Sequence, residues 1–256
     1  MPRPGRSLGF LVLLGISTLS AAPAFCQAIP SPGRIIPQIA AGGAWELELQ
    51  VFNLTDVTQE IEIRFWDDNG ASLALPLWEE DVFLGSTSGL TGDISANALR
   101  IFRSPSDGVP ENLRIGYGGV GSTPDPTAVA AWAVLTQKVA DRPDFQLSIP
   151  KLAAVEIQRL PYRNAPPFTS SLAVVTTADQ VRLVAYAKTG DALCSEVYEP
   201  LSHQAFLVED VLPCTAGADG TVEVRSLGGL PATVVGVTAN DFGAFTVQLP
   251  VELPSP

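Results

Sequence analysis

Apolar and polar residues alternate without a break through Trp45-Glu46-Leu47-Glu48-Leu49-Gln50-Val51, and the same period returns in Glu60-Ile61-Glu62-Ile63-Arg64-Phe65. Successive side chains of a β-strand point to opposite faces, so each run predicts a strand with one buried and one wetted face. The link between them, 53–58, is short and polar, which makes an antiparallel pair the economical arrangement. Asp67-Asp68-Asn69-Gly70 then supplies the positive φ angles of a tight turn, and residues 72–77 are expected to run back. Further strands are expected at 98–103, 112–117, 129–137 and 145–149. The segment 129–137 is rich in alanine, but Val, Trp and Thr interleave and Pro124 and Pro126 lie just upstream, which favours a strand.

A second series follows at 171–176, 181–187, 192–198, 204–208, 221–225, 233–239 and 245–249, with one helical turn suggested at 207–212. Beyond residue 28 no segment sustains a 3.6-residue apolar period over the length of a helix. The pattern therefore predicts an all-β fold and disfavours a parallel α/β sheet. The two series also answer one another. Asp144-Phe145-Gln146-Leu147-Ser148-Ile149-Pro150 is matched 100 residues later by Ala244-Phe245-Thr246-Val247-Gln248-Leu249-Pro250, and the strand and turn at 61–70 by 181–190 at a spacing of 120. Order and element type are kept, so we expect two related antiparallel β-sandwich-like halves in tandem, 35–152 and 153–251. The spacing difference assigns extra loop residues to the first half, in 78–93, 104–110 and 118–126. The join is expected within 151–167, where Pro161, Pro166 and Pro167 cluster.

Residues 1–28 read as a secretory signal peptide and cleavage region. Arg3 and Arg6 precede an apolar run from Leu8 to Leu19, and small residues allow a cut after Ala24, Cys26 or Ala28. The run is shorter than the roughly 20 residues of a spanning helix, so no membrane insertion is expected once the signal is cleaved. The reading places the protein in the secreted, periplasmic or cell-surface space. Hydrophobic residues make up 46% of the chain and charged ones 16%, enough apolar surface to fold. The 22 Gly and 22 Pro are then turn punctuation rather than a sign of disorder. Without Arg3 and Arg6, 13 basic residues remain against 27 acidic ones, an acidic protein whose field repels nucleic acid and anionic lipid. In an oxidising compartment Cys194 and Cys214 are expected to pair, closing a loop worth about 3 kcal/mol in the chain-entropy view.

Pro37-Gln38-Ile39-Ala40 with Gly42-Gly43 and Trp45, the segment Arg64-Phe65-Trp66-Asp67-Asp68-Asn69-Gly70, and the terminal Gly243-Ala244-Phe245-Thr246-Val247-Gln248-Leu249-Pro250 together resemble a group of uncharacterised exported bacterial proteins made of tandem β-sandwich modules. The resemblance covers nearly the whole mature chain and implies that architecture. It implies no activity.

Chemistry-bearing constellations are sparse. His203, the only histidine, stands before an expected strand without a Gly-x-Ser-x-Gly elbow, and is read as a surface or strand-start residue rather than a catalytic one. A serine–lysine route through Lys138, Lys151 or Lys188 is set aside. Glu79-Glu80-Asp81 and Asp67-Asp68 are read as solvated turns, not as a glycosidase carboxylate pair. Placing Gly70 sixth in an EF-type loop puts Phe65 first and Pro76 twelfth, which excludes that loop and leaves Asp67, Asp68 and Asn69 as a looser calcium alternative. No catalytic, cofactor-binding or metal-ligating residue is assigned. Trp45 and Trp132 are expected in the core, and Trp66 and Trp78 are the candidates for an exposed ligand face. These features predict a non-enzymatic module for adhesion, assembly or protein interaction. A carbohydrate-binding or glycan-acting protein using the Trp66/Trp78 region is the alternative, so the partner is a protein or a glycan.

Overall fold

The computed structural model describes residues 35–140, 143–178, 180–199, 202–241 and 243–254; the expected signal peptide and Cys26 lie outside them. The first stretch of chain forms β1 (Ile35–Ala41), β2 (Trp45–Asn53), β3 (Gln59–Trp66), β4 (Leu75–Glu79), β5 (Val82–Thr87), β6 (Gly89–Ile94), β7 (Leu99–Ser104), β8 (Arg114–Thr123), β9 (Val129–Gln137) and β10 (Phe145–Pro150). The second forms β11 (Ile157–Arg163), β12 (Phe168–Thr176), β13 (Gln180–Ala187), β14 (Ala192–Tyr198), β15 (His203–Leu207), β16 (Asp219–Leu227), β17 (Ala232–Asn240), β18 (Phe245–Gln248) and β19 (Val251–Glu252), with one helical turn, α1 (Val208–Val211). The all-β expectation is met.

These strands build four open antiparallel sheets. Their orders are β1-β8-β3-β6 and β10-β9-β2-β7-β4-β5 in the first stretch, and β14-β13-β16-β11-β19 and β15-β12-β17-β18 in the second. Read from the other end, the second pair runs β11-β16-β13-β14 and β18-β17-β12-β15. That is the order of the first pair with each strand replaced by its counterpart in sequence. The first stretch differs by the β4–β5 hairpin, which widens one sheet to six strands, and the second by the two-residue β19.

Local details follow the same correspondence. After β3, Asp67 donates its N–H to Ala71 O at 2.9 Å and Gly70 to Asp67 O at 3.0 Å; after β13, Ala187 donates to Asp191 O and Gly190 to Ala187 O, both at 2.9 Å. Gly70 and Gly190 take φ of 77° and 92°, a region that favours glycine. At the start of the partner strands, a Cβ on Gly116 would collide with Trp66 O, and one on Gly220 with Tyr186 O.

Alternation sets the cores. Leu47, Leu49 and Val51 of β2 and Ile61, Ile63 and Phe65 of β3 fill one cluster with Leu75, Leu77 and Phe102. Leu160, Leu172, Val174, Leu183, Val222 and Val234 fill the other. The strands β12 and β17 break the alternation, with Leu172 through Val175 and Ala232 through Val235 all buried. Leu172, Val174 and Val234 face their own sandwich, whereas Ala173 and Val235 belong to the first core. Strands buried on both faces read as continuous apolar runs. The two sheet pairs are thereby packed against each other, with Phe245 of β18 lying 6.4 Å from the Trp45 ring and 5.8 Å from Phe145.

Several boundaries depart from the sequence reading. The segment 78–93, expected as loop, holds the end of β4 and the strands β5 and β6; 72–77 is strand only from Leu75; and β8 begins at Arg114, after a single 3-10 turn. Strands β1 and β11 were not foreseen because Pro37 and Pro161 interrupt their patterns. Proline is tolerated where no ladder bond is needed. Pro37 sits in the irregular stretch between Ile36 and Ile39 of an edge strand, and Pro161 lies beyond the two positions at which β19 pairs with β11.

Cys194 of β14 is disulfide-bonded to Cys214 with Cα atoms 6.2 Å apart, as the sequence predicts. Replacing both by serine is expected to remove about 3 kcal/mol of stability. At roughly 2–4 °C per kcal/mol for a chain of this size, that lowers the melting temperature by about 10 °C. Calorimetry of the double variant against the parent checks this, and an unchanged midpoint would refute a stabilising role.

Candidate functional site

His203 opens β15 and is fully buried. Its Nδ1 lies 2.7 Å from Asp68 Oδ1 and its Nε2 3.1 Å from Gln38 Oε1, and its backbone N–H donates to Asp68 O at 3.1 Å. The Tyr117 ring lies 5.9 Å away and itself stacks on Trp66 at 5.2 Å and 19°. Ile35, Trp66, Tyr117 and Val175 form a small core of their own. Three of these come from the first stretch of chain and one from the second, so the cluster is a fastening between the two sheet pairs. It corrects the reading of His203 as a surface residue; its place at the start of a strand stands.

The turn at Asp67–Gly70 serves the same contact. Asp67 Oδ1 accepts the N–H groups of Asn69 and Ala71 at 2.9 Å each, while Asp68 turns to His203. Among the described residues no group of three His, Cys, Asp or Glu side chains gathers in a way that would hold a metal ion. Glu79 is held by Arg100 through two bonds of 2.6 Å. Ser148 and Lys151 do stand in a Ser-x-x-Lys spacing, contrary to the reading that none of the three lysines has one, yet the geometry leaves that route closed. Residues three apart on an extended chain face opposite ways: Ser148 is exposed, and the buried Lys151 Nζ donates to Val129 O at 2.6 Å.

A different surface emerges on the outside of the six-stranded sheet. Pairing aligns Trp132 with Gln50 and Gln50 with Ile101 in one row, and Val134 with Glu48, Glu48 with Arg103, and Arg103 with Trp78 in the next. Leu99 is 50% exposed, Phe83 51% and Trp132 36%. Phe83 props the Trp78 ring at 4.8 Å. Glu48 accepts from Gln50 Nε2 at 2.6 Å and from Arg103 Nε at 2.9 Å. Burial pushes the Glu48 carboxyl up, but these bonds and the Arg103 charge outweigh it, so it lies below the usual carboxylate range. Where β4 stops pairing with β7, a hollow of about 230 Å³ opens between Glu79, Glu80, Leu99, Arg100, Ile101 and Arg103.

The chain matches no known protein-family model and no curated protein.

The two tryptophans singled out from sequence are thus not brought together. Trp66 is 6% exposed under the second sheet pair, and Trp78 lies on the outer face. Trp132, expected in the core, shares that outer face, while Trp45 is half-buried against Phe245. The signal for Trp132 was present but ambiguous, because both faces of 129–137 are apolar and the period alone cannot choose between them.

At the fastening, burial first and then the Asp67 carboxylate push the Tyr117 phenol up to about 12, partly offset by its hydrogen bond with Ser202. The fold holds the neutral phenol. Its contribution is complete below about pH 10 and is lost as pH rises toward 12. Tyr117→Phe is therefore expected to flatten the alkaline loss of stability by about 2 kcal/mol. Urea unfolding of both proteins at pH 8 and pH 11.5 checks this; equal losses in the two would sink the assignment.

Proposed function

We propose that this chain is an exported, non-catalytic recognition module of the secreted, periplasmic or cell-surface space, made of two related β-sandwiches clamped into one unit. Relatedness is supported by the repeated strand order and by the matching turn and glycine positions at Gly70 and Gly190 and at Gly116 and Gly220. Export is supported by the leader pattern at 1–28 and by the Cys194–Cys214 disulfide. Among the described residues no helix is long and apolar enough to cross a membrane. A non-catalytic role is supported by the engagement of His203, whose two ring nitrogens both serve the join. This architecture agrees with the resemblance to exported proteins made of tandem β-sandwich modules.

The observation that carries the recognition reading is the contrast between sheet faces. The outer face of β3 presents Glu60, Glu62 and Arg64, and the outer face around β16 carries Glu223 between Arg159 and Arg225. The outer face of β12 and β17 is buried against the first sheet pair. The outer face of the six-stranded sheet instead presents Leu99, Trp132 and Phe83 to solvent. Exposed apolar surface of that kind marks interaction sites.

Expressed with its leader in a bacterial host, the chain is expected outside the cytoplasm, cut after Ala24, Cys26 or Ala28, as read by intact mass. The mature protein is expected to sediment with isolated cell envelopes. Phe83→Lys should release it and Leu193→Lys, on exposed β14, should not. An uncut cytoplasmic product, or envelope binding indifferent to Phe83→Lys, would overturn the reading.

A further inference from the structure

The counterpart of Trp132 in the second sandwich is Val235, and that of Gln50 is Ala173; each pair is aligned across its own sheet in the same way. In the second sandwich these small apolar residues dock onto the first core. In the first, a bulky tryptophan and an amide stand in their places, beside the ionised Glu48–Arg103 pair. The same module-on-module packing would bury that ion pair, whose desolvation offsets any gain. The face is therefore built for an occupant other than another sandwich of this kind.

Its chemistry alternates. Trp132 and Trp78 sit three strands apart and one pleat repeat offset, about 16 Å from strand spacing and rise. Between them lie Gln50, Glu48 and Arg103, hydrogen-bonded to one another and balanced in charge. An aromatic face carries negative charge density that attracts positively polarised C–H groups. A pyranose ring offers such C–H faces, and its hydroxyls meet donors and acceptors at its edges. Two rings this far apart call for a chain of sugars rather than one. The charge balance calls for a neutral chain, since the net charge of −12 repels polyanions.

We propose that the outer face of the six-stranded sheet binds an extended neutral polysaccharide, stacked on Trp132 and Trp78 and hydrogen-bonded by Gln50, Glu48 and Arg103 between them. The hollow beside Leu99 and Ile101 takes a branch or a bend of that chain. This rests on the recognition reading above and specifies its ligand.

The test is affinity electrophoresis and calorimetry of the mature protein with hydroxyethylcellulose, galactomannan, xylan and soluble starch, with polygalacturonate as the anionic comparison. At least one neutral polymer is expected to retard the protein. Trp132→Ala and Trp78→Ala should each weaken binding at least tenfold and together abolish it, while Leu193→Ala leaves it unchanged; melting curves confirm that all variants fold. Retardation by no neutral polymer, by polygalacturonate alone, or undiminished from the parent in both tryptophan variants would overturn the proposal. If envelopes still retain the protein through Phe83 while every neutral polymer fails, the recognition reading survives and the ligand is a protein. If export or the Phe83-dependent envelope binding fails, the recognition reading itself falls.

Discussion

A sheet that is apolar on both faces cannot stop at one neighbour. Strands β12 and β17 carry Leu172, Val174 and Val234 toward their own sandwich and Ala173, Val175 and Val235 away from it. Each buried methylene is worth about 0.8 kcal/mol, so leaving the second set in water would forfeit several side chains at once. The first sandwich covers them. Everything polar along that seam must then find a partner, since an unpaired buried group costs more than a made bond returns. His203 between Asp68 and Gln38, and Tyr117 with Ser202, are the result. The turn at Asp67–Gly70 carries the chain from β3 in one sheet toward β4 in the other, rather than into the run-back expected from sequence, and also supplies the acceptor for His203.

The same packing decides which surfaces remain free. Once the outer face of β12 and β17 is taken, and the outer faces around β3 and β16 are polar, the six-stranded sheet holds the remaining broad apolar face. The β4–β5 hairpin extends it. Without that hairpin Trp78 and Phe83 would be missing, and Trp132 would be the one tryptophan left on a four-stranded face.

Sequence periodicity revealed the strands that have one wet face. Glu46 to Val51 and Glu60 to Phe65 alternate because water lies on one side of β2 and β3, and Asn69-Gly70 marks the turn after β3 by its backbone demand alone. The short 53–58 link, read from sequence as joining an antiparallel pair, instead crosses between two sheets, because a polar link of that length serves either connection. Period two states which residues share a face. It does not state what covers that face. Trp66 is correctly placed opposite Phe65 by alternation, yet the second sandwich arrives from far along the chain to bury it. His203 gives no local signal, because its partners Asp68 and Gln38 are 135 and 165 residues away. Strands β1 and β11 are masked by prolines that only an edge or a partnerless position tolerates, and edges are decided by topology.

Corresponding faces of the two sandwiches have therefore met opposite fates, and the residues account for both. Ala173 and Val235 are small, so two sheets approach closely and exclude water between them. Gln50 and Trp132 at the same positions hold a neighbouring sheet away, and Glu48 with Arg103 beside them stay charged only while they are hydrated or hydrogen-bonded. A ligand that replaces water with hydroxyl groups keeps that pair satisfied while covering the aromatic rings; a second apolar sheet covers the rings and strands the charges. The same place in the strand order thus carries residues that make an internal joint in one sheet pair and residues that leave the face open to solvent in the other.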